Sequence, residues 1–310
     1  MTGTNSYTAT DLAAVIPEVW LPTVLEAYFA KTVAANFFLD LTDEARANAG
    51  DIFHVANIFT NVLTSAAKTN GAEVTLVSPA TVDVLITATT WRHVAYLIED
   101  NELQQTPDAY QILKRLSEQG GAVLADDLED NLFALWSGLS QTGGSTGAAV
   151  TDLQIRQAVR TLDAVDVPKD NRGWFFHPRV FWDQIMAISK FYDASVSGYG
   201  FANPTMTPVI SGNFGPYTKE RGLYGRLYGD PLFVSTNVVT NLTAFRNIYA
   251  HKDAFGFIVR TPGGSRVRMQ AKYVLENLGI LNVLDTIYGS AELRDASGFV
   301  LNGSTTASTT

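Results

Sequence analysis

Residues 50–98 constrain this chain more than any other stretch. They read as one long two-stranded ribbon set between a short helix and a very long one. The outgoing strand is residues 51–60, DIFHVANIFT, and the return is residues 81–98, TVDVLITATTWRHVAYLI. Both are rich in Val, Ile, Thr and aromatic residues, which suit a pleated, half-buried surface. Between them lies a polar tip, residues 61–80, with Lys68, Asn70, Gly71, Ser78 and Pro79. An isolated two-stranded ribbon is marginal in water, so this one must lie on something. An arm that reaches a neighbouring subunit is the reading that gives it a reason to exist.

The flanks support a mixed architecture. Residues 11–36 read as a helical arm in which Val19, Trp20, Val24, Leu25, Tyr28 and Phe29 recur at helical spacing, with Pro22 near the start. Residues 40–51 form a turn-rich link. Thr106-Pro107 is a strong helix start. From there Ala109, Ile112, Leu113, Leu116, Val123, Leu124, Leu128, Leu132, Leu135 and Trp136 keep a helical period to Ser137, roughly 45 Å of helix. Gly120-Gly121 interrupts it. Each glycine costs about 1 kcal/mol relative to alanine, so close packing or a kink is expected there.

Beyond a Gly-rich link at 141–147, Thr151 and Gln154 form a capping-box pattern ahead of Leu153, Ala158, Val159, Leu162 and Val165. Residues 167–173 read as a turn and Trp174-Phe175-Phe176-His177 as a buried strand. Pro178 starts a third helix through Phe181, Ile185 and Met186. Residues 192–226, dense in Gly, Pro, Ser and Asn, are a loop of functional length. Strands are expected at 232–234, 245–249, 254–259, 266–272 and 278–290, with a closing pair, 291–294 and 298–301, around Asp295-Ala296-Ser297. The tail 302–310 is low in complexity. Without regular βαβ alternation, the class is α+β.

Composition narrows the function. Charged residues make up 17% of 310, below the usual quarter or so, which suits burying surface between copies. The net charge of −9 argues against a groove that wraps nucleic acid through its phosphates. There is no cysteine, which excludes disulfides, thiolate metal sites and Cys nucleophiles and suits a reducing compartment. No secretory signal or membrane span is visible. The cluster Asp126-Asp127-Leu128-Glu129-Asp130 places Asp126 and Asp130 on one helix face, where a hard metal could bind. A solvated face, or ion pairs to another subunit, fits it better. His54, His93, His177 and His251 show no metal-ligand spacing; His54 and His93 could face each other across the ribbon as packing. Gly198-Tyr199-Gly200 lacks the third glycine and the strand–helix context of a dinucleotide fingerprint. No phosphate loop, nucleophile elbow or zinc-protease motif occurs. No catalytic, cofactor or metal residue is assigned.

The order of elements, with its local sequence, resembles the major capsid protein family of tailed bacteriophages. Ile16-Pro17-Glu18-Val19-Trp20 is similar to the start of that family's N-terminal arm. Gly50-Asp51 followed by a strand looks like the entry to its extended loop, and residues 90–100 like the return. Residues 126–132 resemble its late spine helix. Asp163-Ala164-Val165-Asp166-Val167-Pro168-Lys169-Asp170-Asn171-Arg172-Gly173-Trp174, then His177-Pro178, is similar to the helix–turn–strand of its axial domain, and residues 229–237 fit the strand that leaves it. Ile287-Tyr288-Gly289, Leu293-Arg294 and Val300 resemble its closing segment.

The resemblance implies a structural subunit without catalysis or cofactor, assembling through pentamers and hexamers into an icosahedral head that encloses a genome. It implies an arm (1–49), an extended loop (50–98), a peripheral domain with the spine helix (99–140 and 245–302), an axial domain (141–244) and a tail (303–310). The subunit contacts expected are Trp20, Val24 and Leu25 in the arm; Lys68, Asn70 and Gly71 at the loop tip; and Tyr199, Phe201 and Tyr217 near a local symmetry axis. The partners implied are the chain itself, scaffolding and portal proteins, and a decoration protein. Packaged DNA would be touched only non-specifically, and no membrane is involved. The place implied is the virion, assembled in the host bacterial cytoplasm. An encapsulin-like compartment shell is the alternative of the same architecture; a soluble enzyme is the alternative of another class.

Overall fold

The structure, a computed structural model, describes residues 15–47, 52–56, 65–71, 73–74, 76, 83–101, 109–188, 210–211, 223–241, 243–261 and 265–306. Helix α1 (Val15–Lys31) is followed by β1 (Leu39–Asp40), α2 (Thr42–Ala47) and the strands β2 (Ile52–Ala56) and β3 (Asp83–Thr87). Strand β4 (Thr90–Glu99) leads to the spine helix α3 (Ala109–Leu135). Then come β5 (Thr142–Gly143), α4 (Asp152–Ala164), β6 (Arg172–Phe176), β7 (Ile210–Ser211), β8 (Leu223–Leu227), β9 (Asp230–Val234) and β10 (Thr240–Asn241). The chain closes through β11 (Ala244–His251), β12 (Phe255–Val259), β13 (Arg268–Val274), β14 (Gly279–Glu292) and β15 (Gly298–Ser304). The class is α+β, as expected.

The ribbon is shorter than its sequence suggests. β2 and β3 pair over only five residues, Ile52↔Thr87 to Ala56↔Asp83. At Ala88 and Thr89 the return chain leaves the ribbon, and β4 pairs instead with β14, from Thr90↔Tyr288 to Glu99↔Gly279. Composition could not separate the two halves, because both are β-branched and aromatic. The ribbon also has a floor in its own chain. Its inward residues Phe53, Val55, Val84 and Ile86 pack with Leu41, Ile258 and Leu293, while Ile52, His54 and Leu85 face outward. The expected His54–His93 juxtaposition does not form: His54 pairs with Leu85 and His93 with Asp285.

Two sheets carry the remaining strands. In the first, β14 is the central member, pairing with β4, β13 and β12, and β1 lies parallel on β12. The second runs β5-β15-β11-β6-β9-β8-β7, with β10 on β11. The expected closing hairpin is therefore a crossing. The turn Asp295–Ser297 carries the chain from β14 in the first sheet to β15 in the second. Strands β11 and β15 join β6 in one sheet, so the stretch 245–302 is divided between the two sheets.

Helix α3 lies on one face of the first sheet. The Tyr288 hydroxyl donates to the Asp127 carbonyl at 3.0 Å, Ser290 and Asn131 hydrogen-bond, and the Tyr96 hydroxyl lies 2.8 Å from Ser117 Oγ. Gly120 and Gly121 answer the question the sequence raised, and the answer is close packing. A Cβ on Gly121 would meet the Val24 carbonyl oxygen of α1 at 2.5 Å, whereas one on Gly120 would meet the Leu284 methyls at 3.4 Å.

Beyond α1 the chain is anchored by Phe37 and Phe38. Phe37 packs edge-on against Phe175 at 5.2 Å; Phe38 stacks on Phe175 at 5.4 Å and meets Phe255 at 5.0 Å. Such pairs add about 0.5–1.5 kcal/mol each beyond area burial. All five residues of β6 are buried, as the aromatic run predicted. The capping box of Thr151 and Gln154 also forms. Arg172, at the head of β6, is 2% exposed and holds the preceding turn. It donates to Asp163 at 2.7 Å, to the Pro168 carbonyl at 2.8 Å and to the Val167 carbonyl at 2.5 Å.

Candidate assembly interface

Side chains alternate faces along a strand, so the face of the first sheet opposite α3 can be read off the register. It carries Trp91, His93, Ala95, Leu97 and Glu99 from β4, and Leu281, Val283, Asp285 and Ile287 from β14. At the β14 end near Gly289 and Ala291 this face is covered by the ribbon base and α2. The remainder is open. Trp91 is 65% exposed, Leu97, Leu281 and Val283 are half-buried, and Leu275 and Leu278 at the β13–β14 turn are exposed. Interrupted by the His93–Asp285 pair, these residues form an open apolar strip of the kind that marks interaction sites.

Two details show that the strip is built. The Trp91 ring is held in place: its indole N–H donates to Asp285 Oδ2 at 3.0 Å. Asp285 is itself buried and fixed by Arg268, whose Nε and Nη2 donate at 2.8 and 2.6 Å. A pre-oriented, exposed Trp loses little rotamer entropy on contact, as interface anchors require. At the turn, Leu278 holds a left-handed backbone, φ +43°, which costs a non-glycine residue roughly 1–2 kcal/mol.

The loop tip is the second exposed element. Residues 65–71 are all exposed, as are Val74 and Leu76 at 68% and 90%. Lys68 Nζ reaches the Thr69 carbonyl at 3.4 Å. Gly71 takes φ +83°, a conformation that favours glycine, so Asn70-Gly71 makes the turn its sequence suggests.

The predicted contacts separate as follows. Lys68, Asn70 and Gly71 are exposed together at the tip. Leu25 is half-buried against the main core. Val24 is fully buried within its own chain, against Gly121. The side chain of Trp20, and Tyr199, Phe201 and Tyr217 entirely, lie outside the described residues.

The acidic cluster divides: Asp126, Asp127 and Asp130 lie on an open or half-open helix face, as expected, and Glu129 does not. Asp126 pairs with Lys31 of the same chain at 3.7 Å. Glu129 turns inward, 1% exposed, and accepts the backbone N–H groups of Ala34 and Ala35 at 2.8 and 2.9 Å. Its position among Ala125, Leu128 and Leu132 was the available signal, a charge within an apolar stripe. Among the described residues no group of three or more His, Cys, Asp or Glu could hold a metal ion. His177 stacks on Phe245 at 3.7 Å and His251 accepts from the Asp253 N–H at 3.2 Å; burial lowers both imidazole pKa values. Among the described residues no helix is long and apolar enough to cross a membrane.

No family model matches the chain, and no curated protein sequence does. Solved structures match over nearly the whole chain. A chain of Mycobacterium phage Che8 superposes with a TM-score of 0.63 at 18% identity, covering 88% of this chain and 91% of that one. The capsid structure of the cyanophage P-SCSP1u gives 0.62 at 14%, covering 88% of each chain. The holo-SrpI encapsulin complex from Synechococcus elongatus PCC 7942 gives 0.59 at 12%, covering 89% of each. The molecule therefore has a capsid-type shell fold. More particularly, its mixed α+β fold with one long helix is that of the phage major capsid proteins.

Proposed function

We propose that this chain is a major capsid subunit that self-assembles through pentamers and hexamers into an icosahedral phage head. The observation that carries the reading is a likeness of fold spanning 88% or more of both chains in the capsid comparison. The open strip around Trp91 and the apolar residues of the loop tip support it, because both are surfaces a monomer leaves uncovered. In this reading the tip of one copy, with Lys68, Asn70, Gly71, Val74 and Leu76, lies on the sheet face of the next. Leu25 and Trp20 contribute from the arm, and Tyr199, Phe201 and Tyr217 meet near the local symmetry axis. Many modest contacts, repeated by closed symmetry, sum to a stable container.

The subunit has no catalytic role. Its partners are further copies of itself, with scaffolding, portal and decoration proteins joining the assembly and DNA enclosed without sequence recognition. Assembly takes place in the host cytoplasm and the product is the virion. The encapsulin likeness favours one second reading, a compartment shell enclosing protein cargo. Electron microscopy and sedimentation of the purified protein test the proposal. Closed shells or rings of five or six are expected. A strictly monomeric species, even with a scaffolding partner supplied, would refute it, and shells filled with protein cargo would favour the second reading.

A further inference from the structure

Glu129 lies under the link between α1 and the aromatic core. Downstream, Phe37 and Phe38 are locked into the aromatic core. Upstream, α1 lies along α3, with Val24 against Gly121. The chain between them, residues 32–36, turns over the Glu129 carboxylate, which accepts from Ala34 and Ala35 across 95 and 94 residues of sequence. Lifting α1 would pivot the chain here and open this carboxylate to water.

We propose that Glu129 is a proton-operated clasp that sets how tightly the arm α1 docks on the spine helix. A buried carboxylate is costly unless it is paired, and among the described residues no cation pairs with Glu129. The charged and titratable groups that act on it are Asp126 from its own helix and Tyr28 from the arm; Arg266 and Tyr288 from the sheet side and Asp40 from β1 act in turn on Tyr28, and Asp130 feels Asp126 and Asp127. Lys31 is held by Asp126 and Arg266 by Asp40. Tyr28 adds a second cost, a buried hydroxyl without a hydrogen-bond partner. Both costs vanish when α1 lifts.

The sign follows from the direction of the shift. Burial, outweighing the hydrogen bonds from Ala35, Ala34 and Val33, pushes the Glu129 carboxyl from 4.5 up to about 7. The docked arm therefore binds the proton more tightly than the lifted arm does. Docking is strongest below pH 4.5, weakens as pH rises, and levels off above about 7. The lifted-to-docked ratio rises about 70-fold between pH 5 and 8. Acid closes the clasp and neutral pH loosens it. This holds for the single chain and does not depend on shell formation.

Amide exchange of the full-length protein, followed by mass spectrometry over residues 21–36 and corrected for the intrinsic pH dependence of exchange, reads the ratio directly. Protection should fall by some tens of fold from pH 5 to 8. Glu129→Gln, which keeps the shape and an acceptor oxygen, should flatten the profile. Asp126→Asn, which removes a neighbouring negative charge, should move the midpoint to lower pH. Protection independent of pH in the unmodified protein, or a pH dependence unchanged in Glu129→Gln, overturns the clasp. Should Glu129→Gln fail to fold, an unmoved midpoint in Asp126→Asn overturns it instead.

Discussion

The double glycine in the spine helix allows the packing to be tested with one methyl group at a time. Gly120→Ala and Gly121→Ala gain the same helix propensity, about 1 kcal/mol each. Their surroundings differ. The added Cβ at 120 would sit 3.4 Å from the Leu284 methyls, an ordinary contact, so the gain should survive. At 121 the Cβ would sit 2.5 Å from the Val24 carbonyl oxygen and 3.0 Å from its Cγ1. That oxygen belongs to the middle of α1 and cannot rotate aside as a side chain would, so the arm must shift by about an ångström. Overpacking of this kind costs roughly 1–3 kcal/mol. Because propensity cancels between the variants, Gly120→Ala should be the more stable by about 1–3 kcal/mol, and more stable than the unmodified chain by about 1 kcal/mol. Urea denaturation of the unassembled subunit measures both, with the arm's amide exchange as a second reading: only Gly121→Ala should lose protection over residues 21–31. Equal stabilities, or a more stable Gly121→Ala, would show that α1 does not pack on α3 at this distance.

Further outcomes follow from the same structure. Deleting residues 61–80 should leave the subunit folded, since the five-residue base of the ribbon packs on Leu41, Ile258 and Leu293, yet impair shell assembly; circular dichroism beside sedimentation separates the two, and an unfolded subunit refutes the reading. Trp91→Ala should raise the concentration needed for assembly by about 30-fold or more, the equivalent of a hot-spot loss of about 2 kcal/mol, with little change in subunit stability. Arg172→Met should destabilise the subunit by roughly 3 kcal/mol, because the Val167 and Pro168 carbonyls and Asp163 lose their donor; a change below about 1 kcal/mol in chemical denaturation would contradict that account.

Much of the fold was legible because its signals are local. The apolar period of α3, the Thr151–Gln154 box and the aromatic run of β6 each depend on neighbours within a few residues, and each is found. What misled was pairing. Residues 81–98 have a single composition, but Asp83–Thr87 pair with β2 and Thr90–Glu99 with β14, some 190 residues away. Likewise β14 and β15 are adjacent in sequence yet lie in different sheets, because the short turn at Asp295 looks the same whether it folds a strand back or hands it on. The interface was less legible still. Lys68, Asn70 and Gly71 could be picked by the polarity of a tip. Trp91 could not, because only the register reveals that it shares a face with Asp285 and lies beyond the reach of the ribbon.

The two glycines also explain how closely arm, spine and sheet are layered. Successive residues on an α-helix point about 100° apart, so adjacent positions can serve two different neighbours. Gly120 is turned toward Leu284 and Val94 of the sheet, and Gly121 toward Val24 of the arm. With no side chain at either position, α3 is at its thinnest where β4 and α1 approach it from two sides. β4 begins only two residues after the ribbon strand β3. At this level only the backbone of α3 separates β4 from α1. A residue larger than glycine at 121 would hold the arm away from the helix and thicken that layer. The sequence keeps it thin at a cost of about 2 kcal/mol in helix propensity for the pair.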